Sequence, residues 1–358
     1  MGNNFWGGRR VLLTGHTGFK GAWTSLLLRH LGAEVYGLAL EPTDDKNLFV
    51  TAHVENDVYH QLADVRDLNA VRETVARARP EVVIHMAAQS LVRTSYAQPV
   101  ETYATNVMGA VNLLEAIRSE PSVKGVVIVT SDKCYENIGW VWGYRETDRL
   151  GGHDPYSNSK ACAELVTDAY RRSFYSAQSA IRIGSARAGN VIGGGDWARD
   201  RIVPDAMRAF LAGESLSVRN PVSVRPWQHV LDPVIAYLIL AQRLVEDGQA
   251  FAEAWNFGPA AESEVTVEHI VEELVSVWGG SARWERQGVN HLHEAVTLKL
   301  DCSKALARLD WRPLLGLSEA LRLTVEWYRA FGAGANMRAV TLAQIEQVVG
   351  MSPLSAAA

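Results

Sequence analysis

Cysteine is scarce in this 358-residue chain: Cys134, Cys162 and Cys302 lie far apart, with no C-x-x-C spacing. That pattern argues against a disulfide framework or a structural zinc and suits a reducing compartment. Long apolar runs are missing as well. The longest, Val234 to Ala241, falls far short of the roughly 20 residues that cross a bilayer. The opening stretch Met1-Gly2-Asn3-Asn4-Phe5-Trp6 has neither the basic nor the apolar region of a secretory signal. Trp6 stands where a myristoylation signal wants Ser or Thr. Excess positive charge is absent too: 35 Lys and Arg against 40 Asp and Glu give a net charge of -5. That argues against a nucleic-acid footprint. There is no biased segment, internal repeat or long linker. The expectation is a cytoplasmic protein with no membrane, nucleic-acid or metal partner.

What is present is an ordinary globular composition, 47% hydrophobic and 21% charged, long enough for a substantial core and two domains. The informative stretch runs from Gly125 to Lys160. Gly125-Val126-Val127-Ile128-Val129 reads as a buried parallel strand, and Thr130-Ser131-Asp132-Lys133 follows at its carboxyl end, where open α/β sheets bind ligands. Asp154-Pro155-Tyr156-Ser157-Asn158-Ser159-Lys160 then opens a helix. Tyr156 and Lys160 are four residues apart, so a helix stacks them on one face. There the Lys160 ammonium favours the phenolate and is expected to pull Tyr156 below its free value of about 10. A phenol so tuned takes a proton from an alcohol as hydride leaves the same carbon.

Taken in order, Arg9 to Thr14 is a strand, and Gly15-His16-Thr17-Gly18-Phe19-Lys20-Gly21 turns into a helix running to about Leu31. Such glycines let the backbone approach a pyrophosphate resting on the helix N-terminus. The second strand, Glu34 to Leu40, ends at Glu41, either a ribose-diol partner that favours NAD over NADP or a solvated loop acid. Tyr59 to Val65 reads as a third strand, with Asp64 a candidate partner for the adenine amino group. Glu81 to Gln89 is a fourth, running into the small residues Ala87 and Ala88, which allow close approach of a ribose. Pro99 to Arg118 is one long helix, the helix from Pro155 runs to about Tyr175, and Ala180 to Arg187 is a sixth strand. Alternating strands and helices imply an α/β, doubly wound parallel sheet (Rossmann). The glycine-rich loop Gly189 to Trp197 marks the boundary to a smaller α/β substrate domain. The division is 1–188, with a returning segment 227–258, and 189–358. The second half supplies Arg201, Arg219, Arg225 and His229 on turns and strand ends, which suits an anionic small substrate. Met351 to Ala358 is expected to fray.

Thr14-Gly15-x-x-Gly18-x-x-Gly21, Asp64-Val65, Ala87-Ala88, the Ser131 cluster and Tyr156-x-x-x-Lys160 occur in one order with sensible gaps. Together they resemble the extended short-chain dehydrogenase/reductase family of nucleotide-sugar epimerases and dehydratases. Longer segments, Thr130 to Asn137, Trp142 to Glu146, Arg187 to Trp197 and Arg225 to Val230, resemble its dehydratase branch. The likeness runs from Gly8 to about Trp327.

That resemblance implies a redox-neutral dehydration of a nucleotide-linked glucose on bound NAD. Tyr156 is implied as the C4-OH base, Lys160 as its tuner and ribose contact, Ser131 as a hydrogen-bond partner of the C4 oxygen. Asp132 is implied as the acid at the C6 hydroxyl, and Asn190 and Arg225 as pyrophosphate ligands. Gly15, His16, Thr17, Gly18, Phe19, Gly21, Asp64, Val65, Ala87 and Ala88 complete the expected cofactor site. Gln89, Arg201, His229 and His293 complete the substrate site. One departure stands out: the dTDP-glucose dehydratases carry Thr-Asp-Glu where this chain has Ser131-Asp132-Lys133. A lysine acts as the C5 base only when neutral. A 4-epimerase, the nearest rival, has no use for the Asp132-Lys133 pair. The family dimerises through two helices, here Pro99 to Arg118 and Tyr156 to Tyr175, so a homodimer or dimer of dimers is expected.

Overall fold

Seven short strands line up in one sheet in a computed structural model that describes residues 4–42, 44–176, 178–287 and 298–354. They are β1 (Arg10–Thr14), β2 (Glu34–Ala39), β3 (Val58–Leu62), β4 (Val82–His85), β5 (Gly125–Val129), β6 (Arg182–Ala188) and β7 (Ala254–Phe257). Their order is β7-β6-β5-β4-β1-β2-β3, and every neighbouring pair is parallel. The sheet grows one way from β1 through β2 and β3, and the other way through β4 to β7. β1 and β4 therefore flank the switch point, where open sheets leave a crevice at their carboxyl ends.

Apart from the edge strand β3, which is largely exposed, the strands are buried on both faces, and their side chains alternate accordingly. Leu12, Val83, Val126, Ile128 and Ile183 point to one side, where they meet Val71, Val75, Leu113 and Leu114. Val11, Leu13, Val82, Ile84, Val127 and Val129 point to the other, under Leu26, Leu27, Val234 and Leu238. The long apolar run noted above lies within the Leu231–Glu246 helix, which is buried over most of its length. Among the described residues, no helix is long and apolar enough to cross a membrane.

The second half contributes the helices Ile202–Ala212, Val267–Trp278, Ser303–Leu309, Leu317–Gly332 and Met337–Val349. Short strand pairs join Val191–Ile192 to Gln228–His229, Val224–Pro226 to Glu264–Thr266, and Ser215–Val218 to Arg283–Arg286. Its apolar side chains, among them Val203, Phe210, Ile270 and Trp327, continue the core that covers one sheet face.

Three expectations change. The third strand stops at Leu62, so Asp64 sits beyond it rather than within it. The single helix expected over Pro99 to Arg118 is Pro99–Tyr103, a wider π turn at Ala104–Met108, then Gly109–Ala116 and a tighter turn at Ile117–Ser119. Inside the π turn, Asn106 is buried and bonds the Gln89 backbone at both N–H and C=O, which explains the widening. The carboxyl-terminal stretch is packed as far as Leu354, since Ser352 and Leu354 are both buried.

Candidate active site

The glycine turn is tight for steric reasons. Gly15 has φ +78, and a Cβ there would lie 2.8 Å from the Ala87 nitrogen; a Cβ at Gly21 would overlap the Gly15 carbonyl oxygen. Gly18 N–H donates to Gly15 C=O at 3.1 Å and begins the Phe19–His30 helix without a side-chain cap. The helix thus starts with unused N–H donors, the arrangement that receives an anion. Thr14 Oγ1 accepts from the Met86 and Ala87 N–H groups, each at 3.2 Å, tying the fourth strand's end, with Ala87 and Ala88, to the turn. Thr17 is pinned to Leu40 C=O at 2.9 Å.

His16 turns away from solvent. Its Nε2 lies 2.6 Å from His60 Nδ1, its ring meets Phe49 edge to face, and burial lowers its pKa to about 3. It is a neutral wall of the turn. Asp64 bonds the Arg66 backbone and guanidinium, each at 2.9 Å, which holds its carboxyl below the usual range. Val65 C=O accepts from Asn112.

The Ser131 cluster stands one strand away. Ser131 caps the short turn Asp132–Cys134: its Oγ accepts from Lys133 N–H at 3.2 Å and donates to Asp132 Oδ1 at 2.9 Å. Asp154 caps the Pro155–Ser173 helix through Ser157 N–H at 2.9 Å, with Pro155 in the first turn, and this sets Tyr156 facing the cluster. The Lys160 effect expected on Tyr156 is not what dominates. Burial pushes Tyr156 up to about 12, opposed by its hydrogen bond with Ser131. Lys160 donates instead to Val129 C=O at 3.3 Å, and burial lowers its own pKa to about 8. Helical spacing gave the neighbour but not the desolvation.

Lys20, between Gly18 and Gly21 on the first turn of the Phe19–His30 helix, was not singled out by its sequence context. It is half-buried, and burial, then Lys160 and Arg201, lower its pKa to about 7, against the pull of Asp132. Its ammonium lies 5.7 Å from the ring centroid of Tyr237, another residue no motif pointed to. Among the described residues, Tyr237 OH and Asp132 Oδ2 are buried without a hydrogen-bond partner. Arg201 reaches the same place, bonding Asp196 at 2.9 Å and Ser90 at 3.1 Å. Beneath, Glu164 accepts from Thr130, from Ser185 at 2.7 Å and from Arg187 at 2.8 Å.

The expected substrate residues divide. Asn190 and Arg225 are half-buried near the short strands of the second half. Gln89 is already engaged: its amide donates to Thr102 at 2.9 Å and accepts from Leu91 N–H at 2.6 Å. His229 is wholly buried against Trp23, with ring centroids 5.8 Å apart. A polar side chain at a strand end reads the same in sequence whether it faces core or crevice. His293 lies outside the described residues. Among those described, no trio of His, Cys, Asp or Glu is placed to hold a metal.

A glycine turn at the switch point, facing Ser131, Tyr156 and Lys160 across the strand ends, defines a dinucleotide-dependent α/β protein of the short-chain dehydrogenase/reductase type. The chain belongs to the family described as GDP-mannose 4,6 dehydratase, whose profile matches residues 12–324. It is 52% identical over 338 residues to the CDP-glucose 4,6-dehydratase of Salmonella typhimurium strain LT2, covering 93% of this chain and 94% of that one. Identity to the dTDP-glucose 4,6-dehydratase of Neisseria meningitidis serogroup B is 28% over 352 residues, with 89% and 93% covered. Among solved structures, the dTDP-glucose 4,6-dehydratase of Streptomyces venezuelae with NAD bound superposes at a TM-score of 0.75 and 26% identity, covering 91% of this chain and 98% of that one.

Proposed function

We propose that the chain catalyses the NAD-dependent dehydration of CDP-D-glucose to CDP-4-keto-6-deoxy-D-glucose, a step in deoxysugar synthesis. The observation that carries this is Asp132, a buried carboxyl hydrogen-bonded to Ser131 beside Tyr156. An epimerase needs only the C4 chemistry, whereas this site holds a second acid next to it. The 52% identity to a CDP-glucose enzyme over nearly the whole chain supports the nucleotide and the reaction together.

The residues fit the cofactor: open N–H donors begin the Phe19–His30 helix, and Gly15 leaves room where any side chain would meet Ala87. Gly15, His16, Thr17, Gly18, Phe19 and Gly21 form that cradle, with Asp64, Val65, Ala87 and Ala88 on the adjoining strand ends. Bound NAD supplies a hydride acceptor and later donor. Tyr156 serves the C4 hydroxyl proton, Ser131 holds the C4 oxygen, and Lys160 contributes charge beside them. The 4-ketone acidifies the C5 proton, and Lys133 takes the role of the base that removes it. Asp132 protonates the C6 hydroxyl, which leaves as water. Asn190, Arg201 and Arg225 receive the pyrophosphate and sugar; Gln89 and His229 act structurally. Residues 1–188 with 227–258 form the cofactor half and 189–358 the substrate half. The protein works in the cytoplasm as a dimer through the Pro99–Ala116 and Pro155–Ser173 helices, whose outer positions Val100, Met108 and Leu165 are exposed apolar side chains. Monomeric light scattering at micromolar concentration would sink the dimer.

The test is to offer CDP-, dTDP-, UDP- and GDP-glucose without external reductant. The 4-keto-6-deoxy product is expected from CDP-glucose; comparable turnover of dTDP-glucose, or a stoichiometric demand for NADPH, overturns the reading. In heavy water, Lys133→Met is expected to form NADH yet lose deuterium exchange at C5. Exchange at the wild-type rate removes Lys133 from the role of base.

A further inference from the structure

Thr14 and His85 are partners on the last rung of the β1–β4 ladder, the two strands that flank the switch point. Both are buried, and Thr14 Oγ1 lies 2.7 Å from His85 Nδ1. A hydroxyl has one proton and two lone pairs. The Met86 and Ala87 N–H groups, each at 3.2 Å, take both lone pairs. The Thr14 proton is left for His85 Nδ1, so that nitrogen is a bare acceptor and the neutral ring carries its hydrogen on Nε2. An imidazolium would aim a further donor at an oxygen with no lone pair to spare. Burial, then Lys160, lower the His85 pKa to about 3, in agreement with a ring that stays neutral.

The contact matters for what it holds. Beyond the last rung, β1 enters the glycine turn and β4 enters Ala87 and Ala88, the two sides of the cofactor crevice. They meet so closely that a Cβ on Gly15 would lie 2.8 Å from the Ala87 nitrogen. The Met86 N–H also reaches Thr14 C=O at 3.1 Å, whereas the Ala87 N–H relies on the Thr14 hydroxyl. A hydroxyl without an acceptor for its proton could turn that proton against the Ala87 N–H. His85 Nδ1 draws it the other way.

We propose that His85 is a positioning residue for the cofactor: by accepting the Thr14 proton, it orients the hydroxyl that clasps Ala87 to the glycine turn and so sets the width of the crevice that receives NAD. The clasp concerns the cofactor half alone and goes beyond the dehydratase reading, since it stands whichever nucleotide sugar the chain accepts.

The test compares side chains by where they present an acceptor. Asn puts its Oδ1 where the imidazole has Nδ1, Gln puts its polar end where the ring has Nε2, and Phe fills the space with neither. NAD is titrated calorimetrically into cofactor-free protein, and the same samples are unfolded in urea. His85→Asn is expected to bind NAD as wild type does, and His85→Gln and His85→Phe about tenfold more weakly, the worth of one buried hydrogen bond. A role in packing alone predicts the reverse order, because Asn leaves the largest void. At saturating NAD, the KM for CDP-glucose should not follow the NAD affinity. Nitrogen-15 NMR of wild type should show His85 with Nδ1 bare and Nε2 protonated. If the His85 variants do not fold, Thr14 asks the same question from the other side. Thr14→Ser keeps the hydroxyl and should keep the affinity, while Thr14→Val keeps the shape and should lose about tenfold. The clasp is overturned if His85→Phe or Thr14→Val binds NAD as tightly as wild type, if His85→Asn binds as weakly as His85→Gln, or if Nδ1 carries the hydrogen. Failure of the dehydratase reading looks different: no 4-keto-6-deoxy product from CDP-glucose, with the dependence of NAD binding on His85 intact.

Discussion

Two buried polar clusters lie back to back at the end of β5, and they differ in how fully they are satisfied. Thr130 and Ser131 are successive residues, so their side chains diverge to opposite sides. Thr130 joins the floor, where both oxygens of Glu164 are taken by Thr130, Ser185 and Arg187. Arg187 continues to Tyr135, and Tyr135 to Asn256, while among the described residues the Arg187 Nε is left without a partner, so the floor is the more fully satisfied of the two and not wholly so. Ser131 joins the rim, where Asp132 Oδ2 and Tyr237 OH have no partner and Lys20 and Lys160 crowd each other. A satisfied buried network specifies structure, and an unsatisfied one costs stability until something fills it. The floor is scaffold; the rim is built for a guest.

The comparison breaks most visibly if Tyr156→Phe fails to separate activity from stability. Its expected effect is a roughly 10²–10⁴-fold loss in the rate of NADH formation on adding substrate. Urea unfolding should change by no more than about 1 kcal/mol. A large stability loss would place Tyr156 in the scaffold instead.

Glu164→Ala tests the floor. Leaving Arg187 buried without its partner should cost about 3–5 kcal/mol in urea unfolding. The pH dependence follows from the same pair. Burial pushes the Glu164 carboxyl up, but Arg187, Thr130 and Ser185 together hold it below its ordinary value. Its contribution is therefore present above the unfolded value of about 4.3 and is lost as pH falls through the lower folded value. Unfolding of wild type and variant should converge in that acid window; curves that stay parallel would contradict the assignment.

The smallest effect sharpens the rim. Tyr237→Phe removes a hydroxyl that has no partner, so the cofactor-free protein should gain about 1 kcal/mol. A loss of similar size, read by thermal unfolding, would show that the hydroxyl is bonded in solution.

Sequence revealed what is local and periodic. The β-branched runs marked β4 and β5, the glycines marked the turn, and Asp154-Pro155 marked a helix start that places Tyr156 and Lys160 together. Contacts made by chain crossings were not legible. Lys20 meets Tyr237 across 217 residues of chain, and Glu164 meets Arg187 through the crossover from helix to strand. Neither pair has a spacing that a motif could record. Gln89 and His229 show a related limit of residue type, which announces polarity, while the direction of the side chain depends on the packed sheet.

The π turn at Ala104–Met108 carries one residue more than a regular helix would. A regular helix advances by about 100° per residue, and the wider turn takes up the extra residue so that the two halves keep their faces. It lets Asn106 face inward to hold Gln89 and Ser159, while Val100 and Met108 keep an outward course. Deleting a single residue here would let the segment close into regular helix with its outer positions still on one face, but Asn106 would lose its inward place. The loop after β4 would then lose its anchor to the Tyr156 helix. For this segment, length is as informative as composition.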